Sequence, residues 1–308
     1  MSKQWRIAFI LTALAMLSVI ISACGASTGG TPAAGNTPAA TTATSKGPTC
    51  ATGSLQVTGS TALQPLVTAV AKSYQTKCSG ANITVNGGGS GTGLKNVSDG
   101  SSQIGMSDVF ADATKYPGLT DNQVAAVVFS VVVNSKVTGV TNLTAAQLKD
   151  IYTGKATNWK TLGGPDLKIV PVSRPAGSGT RVTFETYILG TKEALSGNPS
   201  AASSGEVAST VGQTDGAVSY VASDFAKKNS LTAVKLDGVD NSDANVQSNT
   251  YKFWNIEHMY TKGDATGLAK NLIDYVKSPD TATDRQTQGF LDLSSISAAA
   301  IQAKTPKS

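Results

Sequence analysis

Histidine is almost missing from this 308-residue chain: His258 stands alone. The His-rich cluster that metal-assisted hydrolysis needs is therefore absent. A serine-histidine-acid centre would depend wholly on His258. That residue lies in the strand-like run FWNIEHMY, far along the chain from the serine-rich turns described below, and reads as a structural or hinge histidine. Aromatics make up 6% and charged residues 15%, and no lysine or arginine cluster forms a stripe. A nucleic-acid surface, with basic residues interleaved among aromatics, is excluded on those grounds. The formal charge of +5 includes Lys3 and Arg6 near the N-terminus and describes a mildly basic, solvated surface. Long apolar runs are lacking too. Residues 7–21 cover about fifteen positions, where a spanning helix needs about twenty. What is plentiful is glycine, 31 residues, within a 40% apolar composition. That is globular rather than disordered, and the length suits two ordinary domains or one large one.

Residues 1–24 read MSKQWRIAFILTALAMLSVIISAC. Two basic residues precede the apolar run and small residues follow it, the pattern of a secretory leader; an uncleaved anchor helix is the alternative. Ile21-Ser22-Ala23-Cys24 resembles a bacterial lipobox, which implies that Cys24 becomes a lipidated N-terminus. Residues 25–49 are dominated by Gly, Pro, Thr and Ala without apolar periodicity and read as a flexible tether. A coil of about 25 residues reaches roughly 25–30 Å, about a domain's width. Setting Cys24 aside leaves Cys50 and Cys78, too few with one histidine for a tetrahedral zinc site. In an oxidising compartment the two form a natural disulfide pair, and two free buried thiols are the alternative.

Downstream, apolar periods alternate between two and 3.6. Residues 55–57 alternate apolar and polar before GST breaks the run. Leu63, Leu66, Val67, Val70, Ala71 and Tyr74 then recur at helical spacing. Residues 81–86 (ANITVN) read as a strand running into GGGSGTG, and 94–97 look helical. Residues 104–106 form a short strand ending at Ser107 and Asp108, and 124–133 (VAAVVFSVVV) a long buried one. This order argues an α/β sheet. After Asn134 the pattern restarts with a helix over 143–152, N-capped by Thr144. A strand over 167–172 and an amphipathic helix over 182–189 come next, then a short strand over 216–221. Glycine, serine and asparagine then dominate to about Thr250. Strand-like content resumes over 253–260, 268–276 form a helix, and 288–293 close the fold. VVFSVVV and the strand near Met259 are the candidates for two crossings between domains.

Three strand-to-helix turns share one chemistry: Gly59-Ser60-Thr61-Ala62, Gly89-Ser90-Gly91-Thr92-Gly93 and Gly177-Ser178-Gly179-Thr180. A helix start offers unpaired N–H groups and about half a positive charge. Glycine admits a ligand close to the backbone, and serine and threonine add hydroxyl donors. Each turn is a ready anion site, with plain N-capping as the alternative for any one of them. None fits the P-loop, the dinucleotide fingerprint or the nucleophile elbow. Arg174, four residues before Ser178, can bind two oxygens of an oxyanion at once, or serve as a structural arginine. Asp108 beside an anion makes sense if the anion still carries a proton, as phosphate does and sulfate does not; a turn aspartate is the alternative.

At these residues the chain resembles the phosphate-binding proteins of PstS type, substrate-binding lipoproteins of phosphate ABC transporters. The segments that carry the resemblance are VTGSTALQPLV, VNGGGSGTGLKN, IGMSD, LTAAQLKDIYTGKATNW, VSRPAGSGTRVTFETYIL, GAVSYV and HMYTKGDATGLAKNLIDYV, in matching order and spacing from about Leu55 to Leu293. The resemblance implies an α/β, two-lobed periplasmic-binding-protein fold of type II with two hinge crossings. Its lobes would be 50–132 plus 253–308 and 133–252, after the leader (1–24) and the linker (25–49). It further implies a site for phosphate made by Thr61, Ala62, Ser90, Asp108, Arg174, Ser178, Gly179 and Thr180, with no catalytic residues, metal or cofactor. The expected role is capture of inorganic phosphate for an ABC importer, not catalysis; a sensor, an adhesin or a phosphohydrolase using the same anion cleft is the alternative. Partners would be the permease and ATPase subunits and, through the lipid on Cys24, the outer face of the cell membrane, with the protein a monomer outside the cytoplasm. Two departures stand out. Ala176 occupies a place where the family often has an acid two residues after the arginine. Arg181 follows the third turn and either adds positive potential or faces solvent.

Overall fold

The structure, a computed structural model, describes residues 47–195 and 197–306. Residues 1–24, Cys24 among them, and most of the 25–49 linker lie outside the described residues. β1 (Gly53–Gly59) leads to α1 (Gln64–Lys77), β2 (Ala81–Gly88) to α2 (Ser90–Asp99), and β3 (Ile104–Ser107) ends at Asp108. The 15-residue β4 (Leu119–Val133) follows. Beyond it come β5 (Asn142–Leu143), α3 (Ala145–Tyr152), β6 (Val170–Pro171), α4 (Gly179–Phe184), α5 (Ser204–Gln213), β7 (Ala217–Ala222), α6 (Ser223–Lys228), β8 (Thr232–Leu236) and α7 (Asp243–Gln247). The chain returns through β9 (Trp254–Lys262) to α8 (Gly267–Lys277), α9 (Ala282–Thr287), β10 (Phe290–Leu291) and α10 (Ala298–Lys304).

The sheet runs β2-β1-β3-β9-β4-β7-β6. β1 pairs in parallel with both β2 and β3, as strands joined through crossover helices must. β9 then pairs antiparallel with β3 and β4. β4 changes partners along its length. Leu119 to Val128 faces β9, and Phe129 to Val133 faces β7. Met259 pairs with Met106 and Asn122, well inside the first group of strands. The change of partner falls instead beside Phe253, whose carbonyl accepts from the Phe129 N–H at 2.9 Å. Residues 124–133 are all buried, which accounts for their unbroken apolar run. Against the first group packs α1, with Leu66, Val67, Val70, Ala71 and Tyr74 facing inward. α8 joins it through Tyr275, whose ring meets Tyr74 edge-on at 5.9 Å. Cys50 and Cys78 are joined as a disulfide that ties the entry of β1 to the end of α1. A closed loop of this size adds roughly 3–4 kcal/mol by restricting the unfolded chain.

Several elements depart from the sequence expectation, each for a local reason. The strand expected over 167–172 is reduced to an edge of two residues, Val170–Pro171, where Pro171 lacks the N–H that a further neighbour would need. The helix expected over 182–189 begins earlier, at Gly179, where the Ser178 hydroxyl caps it by accepting from the Arg181 N–H. It then widens into a π-helical turn over Glu185–Leu189 and stops at Gly190 (φ 62°). The polar stretch before Thr250 holds β8 and α7, too short to show a period. Thr144 does cap α3, in a full capping box with Gln147.

Candidate functional site

The sheet places the first side of the site. Ser60 leaves the end of β1 with its N–H bound to the Met106 carbonyl at 3.0 Å, which keeps it level with the end of β3. Its Oγ accepts from the amides of Ala62 and Leu63 at 3.1 and 3.0 Å, turning the chain into α1. The Ala62 amide, expected to face a ligand, is thus committed to Ser60. Thr61 points elsewhere, its Oγ1 lying 3.3 Å from Ser204 Oγ at the start of α5. At the second turn Gly89 sits at φ 86°, a conformation side chains avoid, and α2 starts at Ser90. Ser90 Oγ accepts from the Asp108 N–H at 3.0 Å, and Asn255 donates to the Asp108 carbonyl at 2.8 Å. The backbone of Asp108 is therefore clamped on both sides.

The second side comes from the loop after β6 and the start of α4. The Gly91 N–H donates to the Gly177 carbonyl at 2.9 Å, so the second and third turns meet. A Cβ on Gly179 would collide with Ser90 Oγ and the Asp108 side chain, which is why only glycine fits there. Thr180 Oγ1 donates to Asp108 Oδ2 at 2.8 Å. Behind α4 lies an aromatic cluster in which Phe184 stacks on Tyr220 at 4.2 Å and meets Tyr152 and Phe253. This packing fixes the helix start against the first side. Ser178 remains at its cap, and Arg174 precedes it, 1% exposed.

Arg174 is held by backbone rather than by an acid. Its Nε donates to the Ala201 carbonyl at 2.7 Å and Nη2 to that of Ala202 at 3.4 Å. The Ala202 N–H is in turn bound by Glu206 at 2.7 Å. These contacts hold the guanidinium in place without an acid at position 176. Burial pulls the guanidinium below its ordinary value, opposed by Tyr220, Asp108, Glu206 and Glu193. Arg181 is partly buried, and its charge is paired rather than free. It pairs with Glu185 at 2.9 Å and Glu193 at 3.6 Å and donates to the Arg174 carbonyl at 2.7 Å.

Asp108 and Arg174 each keep one atom uncommitted. Among the described residues, Asp108 Oδ1 and Arg174 Nη1 are buried and make no hydrogen bond. Leaving such a group unpaired costs about 1–3 kcal/mol, more when charged. Burial pushes the Asp108 carboxyl above its ordinary value, while Ser60, Thr180, Arg174 and His258 act to keep it ionised. One acceptor and one charged donor, both desolvated and both free, suit a small tetrahedral anion that brings its own proton.

Sequence reasoning named Ser60 within the first turn but gave it no separate role, and it missed Asn255 and Glu257; all three are buried at or beside Asp108. The signal was available in FWNIEHMY, where an amide and an acid interrupt an apolar strand. His258, distant from the turns in sequence, is adjacent in the fold, with Ser107 as its register partner. Its Nδ1 meets Asp121 at 2.8 Å and its ring lies against Phe110 and Tyr260; no serine hydroxyl bonds to it. Among the described residues no cluster of three or more His, Cys, Asp or Glu is placed to hold a metal, and no helix is long and apolar enough to cross a membrane.

Comparison with known proteins gives a consistent result. Residues 33–280 match the family model of a PBP superfamily domain. The phosphate-binding protein PstS of Bacillus subtilis is 41% identical over 295 residues, spanning 94% of this chain and 95% of that protein. A crystal structure from Clostridium perfringens, of a candidate phosphate ABC transporter substrate-binding protein with bound phosphate, superposes with a TM-score of 0.74 at 34% identity, covering 78% of this chain and 100% of that one. An ABC-type phosphate transport receptor from Vibrio cholerae gives 0.63 at 26% identity, covering 77% and 99%.

Proposed function

The chain belongs to the PstS-type phosphate-binding proteins of the PBP superfamily, and on that premise we propose that it captures inorganic phosphate outside the cytoplasm for an ABC importer of permease and ATPase subunits. The observation that carries this reading is the buried pair of free atoms, Arg174 Nη1 and Asp108 Oδ1, at the meeting of the two sides. The guanidinium binds phosphate oxygens, and the carboxylate accepts the phosphate proton. Ser90, Ser178, Gly179 and Thr180 close around the ligand with hydroxyl and amide donors, while Thr61 and Ala62, turned toward Ser204 and Ser60, shape the first turn. Sulfate, fully ionised, has no hydrogen to offer Asp108 and meets only repulsion.

The lobes are proposed as 50–132 plus 253–308 and 133–252, in line with the change of partners in β4 beside Phe253. Ligand contacts to both lobes favour a closed arrangement over an open one. The bonds Thr180 to Asp108, Gly91 to Gly177 and Thr61 to Ser204 support that closure. Lipid on Cys24 would hold the protein at the outer face of the membrane, a monomer on its tether. The test is calorimetric titration of the purified full chain with phosphate, sulfate and molybdate. Phosphate is expected to bind and sulfate to be rejected; sulfate binding as tight as phosphate overturns the assignment.

A further inference from the structure

Within the apolar first part of β9, three side chains are an amide, an acid and an imidazole: Asn255, Glu257 and His258, all buried. Successive residues of a strand face opposite ways, so Asn255 and Glu257 share one face and His258 takes the other. Asn255 bonds the Asp108 carbonyl and Thr183 Oγ1. His258 bonds Asp121 through Nδ1, and its Nε2 is buried without a partner among the described residues. Glu257 is 0% exposed, and neither of its oxygens has a hydrogen-bond partner among the described residues. A bare carboxylate in that place is not tolerable, because nothing replaces its lost hydration.

Its neighbour resolves the problem. The antiparallel register sets Ser107 opposite His258 and Met106 opposite Met259. Asp108 follows Ser107 directly at the end of β3, and its carboxyl lies close enough to that of Glu257 for a hydrogen bond once one of them carries a proton. Three buried acceptor oxygens, two on Glu257 and Oδ1 on Asp108, therefore lack a donor within one pair of residues. A single proton held on Glu257 removes its charge and gives Asp108 a donor, leaving one neutral Glu257 oxygen unpaired. Two carboxyls in contact cannot both ionise, and the surroundings decide which one does. Burial, then the charge of Asp108 and a hydrogen bond to it, hold Glu257 well above the ordinary carboxylate range. Burial raises Asp108 as well, but Ser60, Thr180, Arg174 and His258 favour its ionised form. Asp121, the remaining nearby acid, is engaged with His258.

We propose that Glu257 is a specificity-determining residue: a neutral acid beside Asp108 that donates a hydrogen bond to it and so keeps Asp108 an ionised acceptor, which only an oxyanion bearing a proton can satisfy. A carboxylate offers about four acceptor sites, enough for Ser60, Thr180, Glu257 and the ligand's O–H together. The inference rests on the phosphate reading and deepens it. Without the donor, buried Asp108 takes up a proton itself and becomes a donor that sulfate can use.

The test titrates phosphate and sulfate into the full chain, purified in detergent, as wild type, Glu257→Gln and Glu257→Leu. The amide of Glu257→Gln still donates, so its preference for phosphate should match wild type. Glu257→Leu should lose at least about tenfold of that preference, the equivalent of one pKa unit. Infrared difference spectra of wild type against Glu257→Gln should show a protonated-carboxyl band that phosphate shifts. That readout stands even if the leucine variant does not fold. A wild type that binds phosphate while Glu257→Leu keeps the full preference, or that lacks the band, overturns this inference alone. A wild type that binds no phosphate removes the transport reading, and this inference with it.

Discussion

Asp108 and Arg174 are both buried charges in one site, yet they are held by opposite means. Asp108 stands at the end of β3, its backbone fixed by Ser90 and Asn255 and its carboxyl met by Thr180. Arg174 follows a two-residue strand, and its guanidinium is fixed by carbonyls of another loop, at Ala201 and Ala202. The first side is sheet and has its register built in. The second is loop and takes its position from side chain-to-backbone bonds and from the aromatic packing under α4. On the proposed function the site divides its tasks: the loop side contributes attraction, and the sheet side judges what has been attracted.

Breaking the attractive side should give the largest effect. Arg174→Ala removes a buried charged donor, and affinity for phosphate should fall by about 2–5 kcal/mol in calorimetry. Weaker oxyanion ligands should suffer alike, since the guanidinium does not sense the ligand's proton. A variant that binds phosphate within a few-fold of wild type would remove Arg174 from the site. Asp108→Asn tests the other side and should act on selectivity more than on affinity. The amide can donate to sulfate, so the phosphate-over-sulfate ratio should fall by about tenfold or more, ~1.4 kcal/mol. If sulfate stays rejected as strongly, the proton-sensing role of Asp108 is wrong.

The same contrast explains what the sequence revealed. The sheet side was legible because buried strands and helices leave periods: the apolar run over 124–133, the α1 face from Leu66 to Tyr74, and the glycine turns that end β1 and β2. The loop side was legible only as a motif, Arg174 and the Gly177–Thr180 turn. Its support was hidden. Ala176 looked like a missing partner, but the groups that hold the guanidinium are main-chain carbonyls, which carry no side-chain signature. Arg181 and Glu185 are spaced as an i, i+4 pair that a helix reading could have found. Glu193, the second acid on Arg181, comes from a loop and could not. Glu257 was hidden differently. Its strand was read correctly, but its function depends on the register with β3, and register is a property of two segments.

The smallest effect probes the bond where the two sides touch. Thr180, from the loop side, donates to Asp108 Oδ2 and helps keep that carboxyl ionised. Thr180→Val keeps the shape and removes the hydroxyl. Burial already raises the Asp108 carboxyl, so its charge, and with it the rejection of sulfate, is present above its folded pKa and lost as pH falls through it. Losing one donor must raise that pKa further, so selectivity should begin to fail at a higher pH than in wild type. A net hydrogen bond is worth about 0.5–1.5 kcal/mol, which shifts the onset by roughly half to one pH unit. Phosphate and sulfate titrations at a series of pH values on the acid side of neutrality measure it. A curve displaced toward higher pH, with neutral-pH affinity little changed, is expected. An undisplaced curve would mean that the loop side contributes attraction only and has no part in setting the charge on Asp108.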